Sequence, residues 1–428
     1  MYPRAAPPQF LCFHVTTMGH DGPMANAAHP SRIVIVGASL GGASAALKLR
    51  ELGYAGELTL IGEETELPYE RPPLSKAVLI GDADEPDWVG DDALYADKQI
   101  ELVRGTTVTR IDRTGRRVVA GRHDFGYDRL LLSTGSTPRQ LEVPGADLEG
   151  VFTLRTFGDS LTLRDRFTAE ARVAVVGAGW IGCESAAAAR QHGSAVIMVE
   201  PQSEPLFGVV GERAGATFAA LHRDHGVDLR LGTKVLGFSG DSGRVTGVRL
   251  PGGAAVAADT VVIGVGVIPN IALAEVAGLT LADGGIAVDA TLRTSDPDIY
   301  AVGDIAAEDH PKYGRRVRVE HWANAKDQGE HVAANLLGEE VPYEKRPFFF
   351  SDQYDLGCEY RGLADPSKDR LVVRGDLQAR EYIAFWLRDG AVAAALNVNS
   401  WDDGDALQDL VDSGRPVAVD DLVSGGLG

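Results

Sequence analysis

The stretch VAVVGAGWIGCESA, residues 173–186, decides the fold. Its first four residues are apolar and mostly β-branched, which is typical of a strand buried on both faces of a parallel sheet. Gly177, Gly179 and Gly182 occupy the three glycine positions of GxGxxG, and the small residues that follow favour a helix. The next apolar run, AVIMVE, ends at Glu200, where a carboxylate can accept hydrogen bonds from ribose hydroxyls. The stretch therefore predicts a dinucleotide-binding unit, with the pyrophosphate at the helix N-terminus.

A second copy of this pattern occurs earlier, as IVIVGASLGGASA at residues 33–45. Gly37 and Gly42 fill the first and third glycine positions, whereas Ser39 stands at the middle position, where backbone usually approaches the pyrophosphate. A predicted helix and the strand ELTLIGEE follow, and the strand leads to Glu63. Single glycine turns between a strand and a helix are common as plain structure, but two complete units indicate two dinucleotides. We expect FAD and NAD(P)H, between which a hydride passes.

Composition limits the other function classes. The chain has 428 residues and a net charge of −20, which argues against general nucleic-acid binding. Its three cysteines, Cys12, Cys183 and Cys358, include no CxxC pair, so a disulfide framework and a cysteine-based zinc site are not expected, and no metal site is predicted. No apolar run is long enough for a membrane span, and a reducing cytosol is the expected location. Residues 1–30 are interpreted as a disordered leader.

Two later stretches indicate which turn holds which dinucleotide. DRLLLSTGSTPR, residues 128–139, and DIYAVGDI, residues 298–305, each read as an apolar strand that ends in a loop. At these positions they resemble signatures of the two-dinucleotide flavoprotein reductases, the glutathione-reductase-like superfamily. That resemblance implies that the first turn binds FAD and that the NAD domain is inserted into the FAD domain.

The expected fold is therefore α/β, with two Rossmann-like dinucleotide-binding domains and a small C-terminal α+β domain. The predicted ranges are 31–139 and 262–340 for the FAD-binding domain, 140–261 for the NAD-binding domain and 341–428 for the C-terminal domain.

A stiff basic loop follows Glu63, with the sequence LPYERPPLSK at residues 67–76. Pro72 and Pro73 restrict the backbone and can hold Lys76 in place. A buried lysine needs a partner, and Glu184 in the first turn of the second helix is the candidate. The alternative is an ordinary basic surface loop.

The loop also begins a more specific resemblance. PYERPPLSK, then VRVEHWANAKDQGEHVAANL at 317–336 and PFFFSDQYD at 347–355, is similar to the oxygenase-coupled NADH-dependent ferredoxin reductases. The resemblance covers about residues 31–428. It implies that hydride passes from NADH to FAD and that electrons then pass singly to a [2Fe–2S] ferredoxin that feeds a cytochrome P450 or a ring-hydroxylating oxygenase.

Residue roles follow from this resemblance. Lys76 and Glu184 would form an ion pair beside the flavin that tunes it and meets the nicotinamide. The FAD residues implied are Gly37, Ser39, Gly41, Gly42, Glu63, Arg71, Lys76, Val108, Thr134, Gly135, Arg139, Asp304, His321 and Trp322. The NAD residues implied are Gly177, Gly179, Trp180, Ile181, Gly182, Glu184, Glu200 and Gly266. Cys183 is expected to be an inert thiol in the seam between helix and sheet.

Three further expectations rest on the residues themselves. Glu200 repels a 2′-phosphate, which favours NADH over NADPH, and Glu204 is either a second such charge or a solvated loop residue. A helix is predicted to begin near His321, with its N–H groups directed at the flavin, and to stop at Gly338. The HRDH piece from His222 to His225 is interpreted as solvated surface.

The C-terminal part predicts a β-hairpin, with YIAFWLR and AVAAALNVN joined by Asp389-Gly390, and then a short helix ALQDLVDSG. The aromatic residues of PFFFSDQYD either face the flavin or belong to an ordinary core. Because ferredoxins are usually acidic, a local basic cluster is the expected docking site. The members of this cluster are Lys312, Arg315, Arg316 and Arg318, and Arg71 is a further candidate. The alternative interpretation is that the cluster is an ordinary solvated face.

Two rival functions remain. One is an NADH oxidase or quinone reductase, and the other is a redox-responsive binding protein like apoptosis-inducing factor. A monomer is expected by resemblance, and the sequence names neither the ferredoxin nor the oxygenase.

Overall fold

The computed structural model describes residues 30–253 and 255–425. The predicted leader, apart from residue 30, lies outside the described residues.

The elements follow the chain in three groups. The first group is β1 (Arg32–Val36), α1 (Leu40–Glu51), β2 (Glu57–Ile61), a 3-10 helix (Pro72–Ser75), α2 (Ala77–Ile80), α3 (Asp92–Asp97), β3 (Glu101–Val103), β4 (Val108–Asp112), β5 (Arg117–Ala120), β6 (His123–Gly126), β7 (Arg129–Leu132) and β8 (Ser136–Pro138). The second is β9 (Val151–Phe152), α4 (Phe157–Arg166), β10 (Arg172–Val176), α5 (Trp180–Gln191), β11 (Ala195–Val199), α6 (Phe207–Asp224), β12 (Asp228–Arg230), β13 (Gly237–Asp241), β14 (Arg244–Arg249), β15 (Ala255–Ala257) and β16 (Thr260–Ile263). The third is β17 (Val267–Pro269), α7 (Ala272–Val276), β18 (Leu281–Ala282), β19 (Gly285–Val288), β20 (Ile299–Ala301), β21 (Ala306–His310), β22 (Arg315–Arg318), α8 (Trp322–Leu336), β23 (Phe348–Gln353), β24 (Leu356–Gly362), β25 (Arg370–Asp376), β26 (Glu381–Arg388), β27 (Ala391–Val398), α9 (Gly404–Ser413) and α10 (Val419–Ser424).

The first predicted unit forms a parallel sheet with the strand order β20-β7-β1-β2-β3. Strand β1 lies at its centre, and four of its five residues are buried, as its continuous apolar run predicts. The carboxyl end of β1 leads through the first glycine turn into α1, so the turn lies at the edge where open α/β sheets bind ligands.

The second unit repeats this design with the order β12-β11-β10-β16-β9. Strand β16 pairs with β10 in parallel over residues 260–263 and therefore belongs entirely to this second sheet. The predicted domain boundary between residues 261 and 262 falls inside β16.

The chain leaves the first sheet after β7 and returns to it at β20, which pairs with β7 in parallel. Between these strands lies the second sheet, and β8 pairs with β17 where the chain crosses out and back. This order gives the two-dinucleotide α/β fold expected from the sequence.

The C-terminal segment forms an antiparallel sheet in the order β23-β24-β27-β26-β25, with α9 and α10 beside it. The predicted hairpin is confirmed: β26 and β27 pair, and Asp389 and Gly390 between them both have positive φ, 52° and 83°. The predicted short helix is α9. The inner face of the sheet packs on α6, where Phe218 and Leu221 share a buried cluster with Phe349, Tyr360 and Trp386.

Candidate active site

The first glycine turn lies against two other segments of the site. Gly37 has a φ of +113°, and a Cβ added there would lie 2.0 Å from the Ser133 carbonyl oxygen. A Cβ on Gly42 would lie 2.0 Å from the Gly37 carbonyl oxygen. A Cβ on Gly41 would lie 2.8 Å from Ser133 Oγ and 3.1 Å from the Ala325 carbonyl of α8. The STG segment and α8 thus both pack against the turn.

The Gly303-Asp304 segment lies beside this turn, because β20 pairs with β7 in the same sheet. Ser136 Oγ donates to Asp304 Oδ2 at 2.8 Å, and an Arg155 guanidinium nitrogen lies 3.5 Å from the same oxygen. The Gly303 N–H donates to Gln328 Oε1 of α8 at 2.8 Å. The carboxylate expected to bind the ribityl chain is therefore held by a hydroxyl and an arginine.

The sequence interpretation assigned an FAD contact to Arg139, which stays a prediction, and it did not single out Arg155, which lies beside Asp304. Arg139 is exposed, and its backbone N–H donates to the Gly266 carbonyl at 2.9 Å. Arg155 lies 3.1 Å from where a Gly135 Cβ would be, and burial lowers its pKa. It follows the carboxyl end of β9, a two-residue strand that was not predicted from the sequence, so no local signal marked it.

The other predicted FAD residues take separate positions. Glu63 is exposed just after β2, and Val108 is buried at the start of β4. Thr134 Oγ1 donates to the Asn270 carbonyl at 2.8 Å, which ties the STG segment to the stretch after β17. Arg71 is bound to Glu64 at 2.6 Å and to the Arg155 carbonyl, so it is an internal link and not part of an open basic face.

The second glycine turn has the same geometry as the first. Gly177 has a φ of +98°, and a Cβ there would lie 2.5 Å from the Gly264 carbonyl, while a Cβ on Gly182 would lie 2.1 Å from the Gly177 carbonyl. Gly179 faces open space, since a Cβ added there would have its nearest neighbour, the Gly264 carbonyl oxygen, 4.0 Å away. Glu200 accepts the Ala178 N–H at 2.7 Å, which fixes its carboxylate beside the turn.

The two units meet at the predicted ion pair. Lys76 Nζ lies 2.8 Å from Glu184 Oε1, and their side chains are 15% and 3% exposed. Glu184 also accepts from Ser75 Oγ and, at 2.6 Å, from Ser351 Oγ of β23. The basic-surface-loop alternative is excluded for Lys76, since the lysine is mostly buried and paired. Neither serine was singled out from the sequence.

Aromatic side chains join the second turn to the start of α8. Trp180 contacts Phe349 edge to face with ring centroids 4.8 Å apart, and Phe349 stacks on His321 at 4.3 Å. Burial lowers the pKa of His321 to about 4, so the ring is neutral at physiological pH. Helix α8 begins at Trp322 with His321 as its N-cap, as predicted, and Gly338 follows its end with a φ of +103°.

The next aromatic pair surrounds the lysine. Phe350 lies against Trp322, and Lys76 Nζ lies 5.1 Å from the centre of the Phe350 ring. Trp322 Nε1 donates to Glu70 at 3.1 Å. Of the PFFF aromatics, Phe349 is thus a core residue at the junction, while Phe350 faces the ion pair.

These residues fit two dinucleotides. Each turn places the N-terminus of a helix at the carboxyl edge of a parallel sheet, where its N–H groups and dipole favour a pyrophosphate. Trp180 Nε1 is buried and has no hydrogen-bond partner among the described residues, which marks a polar position that a ligand would satisfy.

The histidine interpretation was wrong for His222, which is fully buried and hydrogen-bonded to Gln353 at 3.1 Å. Burial lowers its pKa to about 4. Its apolar neighbours on α6, such as Phe218 and Leu221, could have signalled a buried face. His225 lies at the edge of this face and stacks on Tyr354.

The predicted basic cluster is partly neutralised. Arg316 pairs with Asp309 at 2.7 Å, and Arg318 pairs with Glu320. Lys312 and Arg315 are exposed, and neither has a carboxylate within 4 Å in the part of the chain that the structure describes.

Comparison with known proteins agrees with this site. The model for pyridine nucleotide-disulphide oxidoreductases matches residues 31–329, and the model for the reductase C-terminal domain matches residues 348–425. Rhodocoxin reductase of Rhodococcus erythropolis is 39% identical over 387 residues, 90% of each chain. The chain belongs to the pyridine nucleotide-disulphide oxidoreductase family, among its ferredoxin reductases. The resemblance read from the sequence motifs is thereby confirmed.

Solved structures of this family have the same fold. The ferredoxin reductase for the CYP199A2 system from Rhodopseudomonas palustris has a TM-score of 0.89 at 36% identity and covers 93% of this chain and 98% of its own. Putidaredoxin reductase in its covalent complex with putidaredoxin has a TM-score of 0.87 at 36% identity, covering 93% and 95%.

The family name refers to disulfides, but the described cysteines do not suit that chemistry. Cys183 and Cys358 are both buried, and burial raises the pKa of each thiol, which disfavours the reactive thiolate. Cys183 lies in the helix–sheet seam as predicted.

Metal binding and membrane insertion find no support within residues 30–253 and 255–425. In these ranges, no group of three or more His, Cys, Asp or Glu side chains is arranged to hold a metal ion. None of their helices combines the length and apolar character needed to cross a bilayer.

Proposed function

We propose that this chain is an FAD-dependent NADH:ferredoxin reductase. The observation that carries the proposal is the buried Lys76–Glu184 pair, which joins the two dinucleotide units at 2.8 Å where their turns converge. Bound FAD would supply the chemistry that converts a two-electron hydride donor into single electrons for a [2Fe–2S] ferredoxin of a P450 or ring-hydroxylating oxygenase. A cytosolic location forms part of the proposal.

The first unit would hold FAD. The N-terminal N–H groups of α1 would bind its pyrophosphate, and Asp304 would accept from its ribityl hydroxyls. Arg155 and Ser136 orient the Asp304 carboxylate, and Gln328 holds the Gly303 backbone next to it. Glu63 stands at the end of the second strand, the position from which a carboxylate binds the adenosine ribose.

The second unit would hold NADH. The N-terminus of α5 would bind the pyrophosphate, with Trp180 and Ile181 in its first turn. Glu200 accepts backbone N–H groups of Ala178 and Gln202, so its charge is fixed at the ribose position. A 2′-phosphate would meet that charge, which favours NADH over NADPH.

Lys76 and Glu184 would position the two reacting rings and set the local charge. Hydride transfer requires no acid, base or nucleophile from the protein, so orientation and electrostatics are what the chain contributes. The pair lies in a mostly buried setting, where its fixed charges act more strongly than in water.

The function is tested with the purified, FAD-loaded protein. NADH should bleach the yellow flavin under anaerobic conditions, and adding a [2Fe–2S] ferredoxin such as putidaredoxin or rhodocoxin should restore the colour within seconds. Bleaching followed by rapid reoxidation with dioxygen or a quinone, but with none of a panel of such ferredoxins, would contradict the proposal in favour of an oxidase or quinone reductase. A long-lived reduced complex with every acceptor would favour a redox-responsive binding protein.

The docking surface is a finer part of the proposal. We place it around Lys312 and Arg315, the two predicted cations that remain exposed and without an acidic partner among the described residues. Arg315 also lines a cavity of about 330 Å³ at the C-terminal domain, where Lys368 is paired with Asp365 and Arg388 with Asp369, so Arg315 is the cation of this cavity that has no acidic partner among the described residues. An acidic ferredoxin would dock there through electrostatic steering, as a monomeric reductase.

Charge reversal tests this surface. The double variant Lys312→Glu/Arg315→Glu should slow ferredoxin reduction about tenfold at low salt while leaving ferricyanide reduction unchanged. Lys234→Glu is the matched control, since Lys234 is an exposed cation of the second unit. Equal loss with ferredoxin and ferricyanide, or equal loss in the control variant, would remove this docking site.

A further inference from the structure

A chain of buried polar side chains leads away from Glu184 into the C-terminal domain. Ser351 Oγ lies 2.6 Å from Glu184 Oε1, and Gln353 Nε2 lies 3.2 Å from Ser351 Oγ. Gln353 Oε1 lies 3.1 Å from His222 Nε2 on α6. Each of these side chains is at most 3% exposed, so water cannot replace the bonds between them.

The acceptor at one end sets the direction of every bond. The Glu184 carboxylate beside Lys76 can only accept, so Ser351 must donate to it. The Ser351 oxygen is then free to accept from the Gln353 amide nitrogen, which turns the Gln353 oxygen towards His222. That oxygen can also only accept, so His222 must carry its proton on Nε2.

The far end of the chain agrees with this assignment. Tyr354 Oη lies 3.3 Å from His222 Nδ1, the nitrogen left without a proton, so the tyrosine hydroxyl donates to it. Burial lowers the pKa of His222 to about 4, which keeps the ring neutral and this tautomer stable at physiological pH. Tyr354 in turn stacks on His225 at the protein surface, with ring centroids 3.8 Å apart.

The chain crosses all three parts of the molecule. Lys76 and Ser75 come from the first unit, Glu184 and His222 come from the second, and Ser351 and Gln353 come from the C-terminal sheet. Every bond except the one between Gln353 and Ser351 therefore fixes the position of one part relative to another, at the junction where the rings of the two dinucleotides would meet.

We propose that Ser351, Gln353 and His222 are positioning residues that hold the Glu184 carboxylate oriented towards Lys76 for hydride transfer. The proposal deepens the proposed function and rests on it. The three residues act through Glu184 and would not touch the substrate. Because every bond in the chain donates towards Glu184, losing the donor at His222 loosens Gln353 and then Ser351, and the carboxylate loses an oriented partner.

A pair of variants separates this role from simple packing. His222→Leu removes the donor, whereas His222→Gln keeps a side-chain N–H that can reach Gln353. In the FAD-loaded protein, His222→Leu should lower the limiting rate of flavin bleaching by NADH about tenfold, with His222→Gln restoring most of it. FAD content and the unfolding temperature should be similar in the two variants. Equal rates in the two variants, at equal FAD content, would overturn the proposal.

A second measurement does not depend on turnover. Nitrogen-15 NMR of the histidine-labelled, FAD-loaded wild type should show His222 protonated at Nε2 and unchanged between pH 5 and pH 9. A proton on Nδ1, or a titration near pH 6.5, would overturn the proposal even if both variants failed to fold. Loss of ferredoxin reduction with intact NADH bleaching would instead contradict the proposed function and leave this result standing.

Discussion

The two glycine turns share one feature and differ in another. In both, the third glycine lies against the carbonyl of the first: a Cβ on Gly42 or Gly182 would lie 2.0 or 2.1 Å from it. At the middle position, Ser39 and Gly179 both have extended backbone, which any residue adopts, and Gly179 has nothing nearer than 4.0 Å to an added Cβ. The fold thus requires the third glycine in each turn, while the ligand alone limits the middle residue.

The turns also differ in what covers them. Helix α8 crosses directly over α1, where a Cβ on Gly329 would lie 2.3 Å from the Gly41 carbonyl. The second turn is covered less completely: Ile181 is 43% exposed, and the contacts of Trp180 are made by two side chains, Phe218 of α6 and Phe349 of β23. A closed first turn suits a cofactor that stays bound, and an open second turn suits one that must leave after each cycle.

The largest expected effect comes from Gly42→Ala and Gly182→Ala, because in each variant the new methyl group overlaps a backbone carbonyl that cannot move away. Each should cost about 3 kcal/mol or more of stability. Gly42→Ala should lose FAD, whereas Gly182→Ala should retain FAD and lose bleaching by NADH. Thermal unfolding, flavin content and stopped-flow absorbance measure these effects.

Gly208→Ala is the control for both, since its Cβ would have no neighbour within 4 Å and alanine favours helix. If both turn variants lost the same cofactor, the assignment of one dinucleotide to each turn would be wrong.

The next prediction concerns the buried carboxyl groups of the two units. Glu184 is paired with Lys76 and accepts hydrogen bonds from two serine hydroxyls. Glu308, beneath α8, accepts a single hydrogen bond from Gln328 at 3.0 Å, and burial raises its pKa from 4.5 to about 8. The folded protein therefore keeps a proton that the unfolded chain has lost between pH 4.5 and 8. Stability should fall as pH rises through this window, by up to about 1.4 kcal/mol per pH unit.

Glu308→Gln should remove this slope, because glutamine can accept from Gln328 without ionising. The unfolding temperature of the FAD-loaded variant should change less between pH 5 and pH 8 than that of the wild type. Glu212→Gln, at an exposed position of α6, should keep the wild-type slope. If the unfolding temperature of Glu308→Gln fell with pH as steeply as that of the wild type, Glu308 would not be the group that causes the pH dependence.

A third effect concerns the acid of the second turn. Glu200→Gln removes the charge beside the ribose while keeping an oxygen for the backbone, so the preference for NADH over NADPH should fall about tenfold. The ratio of kcat/KM for the two nucleotides measures it.

Glu204→Gln tests the second charge suggested by the sequence. Glu204 packs against α6 at Gly215, and burial raises its pKa, so its removal should leave the nucleotide preference unchanged. If Glu204→Gln changed the preference for NADH over NADPH more than Glu200→Gln does, Glu204 and not Glu200 would be the acid that excludes the 2′-phosphate.

Features that depend on neighbouring residues could be predicted from the sequence, and one long-range contact could be predicted from its energetic cost. The glycine turns, the Asp389-Gly390 hairpin and the start of α8 at Trp322 depend on neighbouring residues, and all were predicted. The Lys76–Glu184 pair could be inferred because burying a lone lysine is costly.

Residues whose role arises only from long-range packing were missed. Ser75 and Ser351 meet Glu184 across 109 and 167 residues, and nothing in their local sequence indicates this contact. His222 was assigned to the surface because HRDH is polar as a string, although the helix turns that one histidine into the core. The position of Arg155 likewise depends on where β9 lies in the second sheet.

The smallest effect tests the middle residue of each turn by exchange. Ser39→Gly and Gly179→Ser should each change the free energy of unfolding by less than about 1 kcal/mol, because the backbone is extended at both positions. The Ser39 side chain makes no capping hydrogen bond that would be lost, and a Cβ added at Gly179 would have its nearest neighbour 4.0 Å away. Ser39→Gly should leave FAD binding within about threefold of wild type, while Gly179→Ser should weaken NADH binding modestly, as expected where only the ligand limits the space. Fluorescence titration of each cofactor measures both. If Gly179→Ser destabilised the protein as much as Gly182→Ala, the fold of the second turn would require its middle glycine. The two turns would then be alike only in their need for the third glycine.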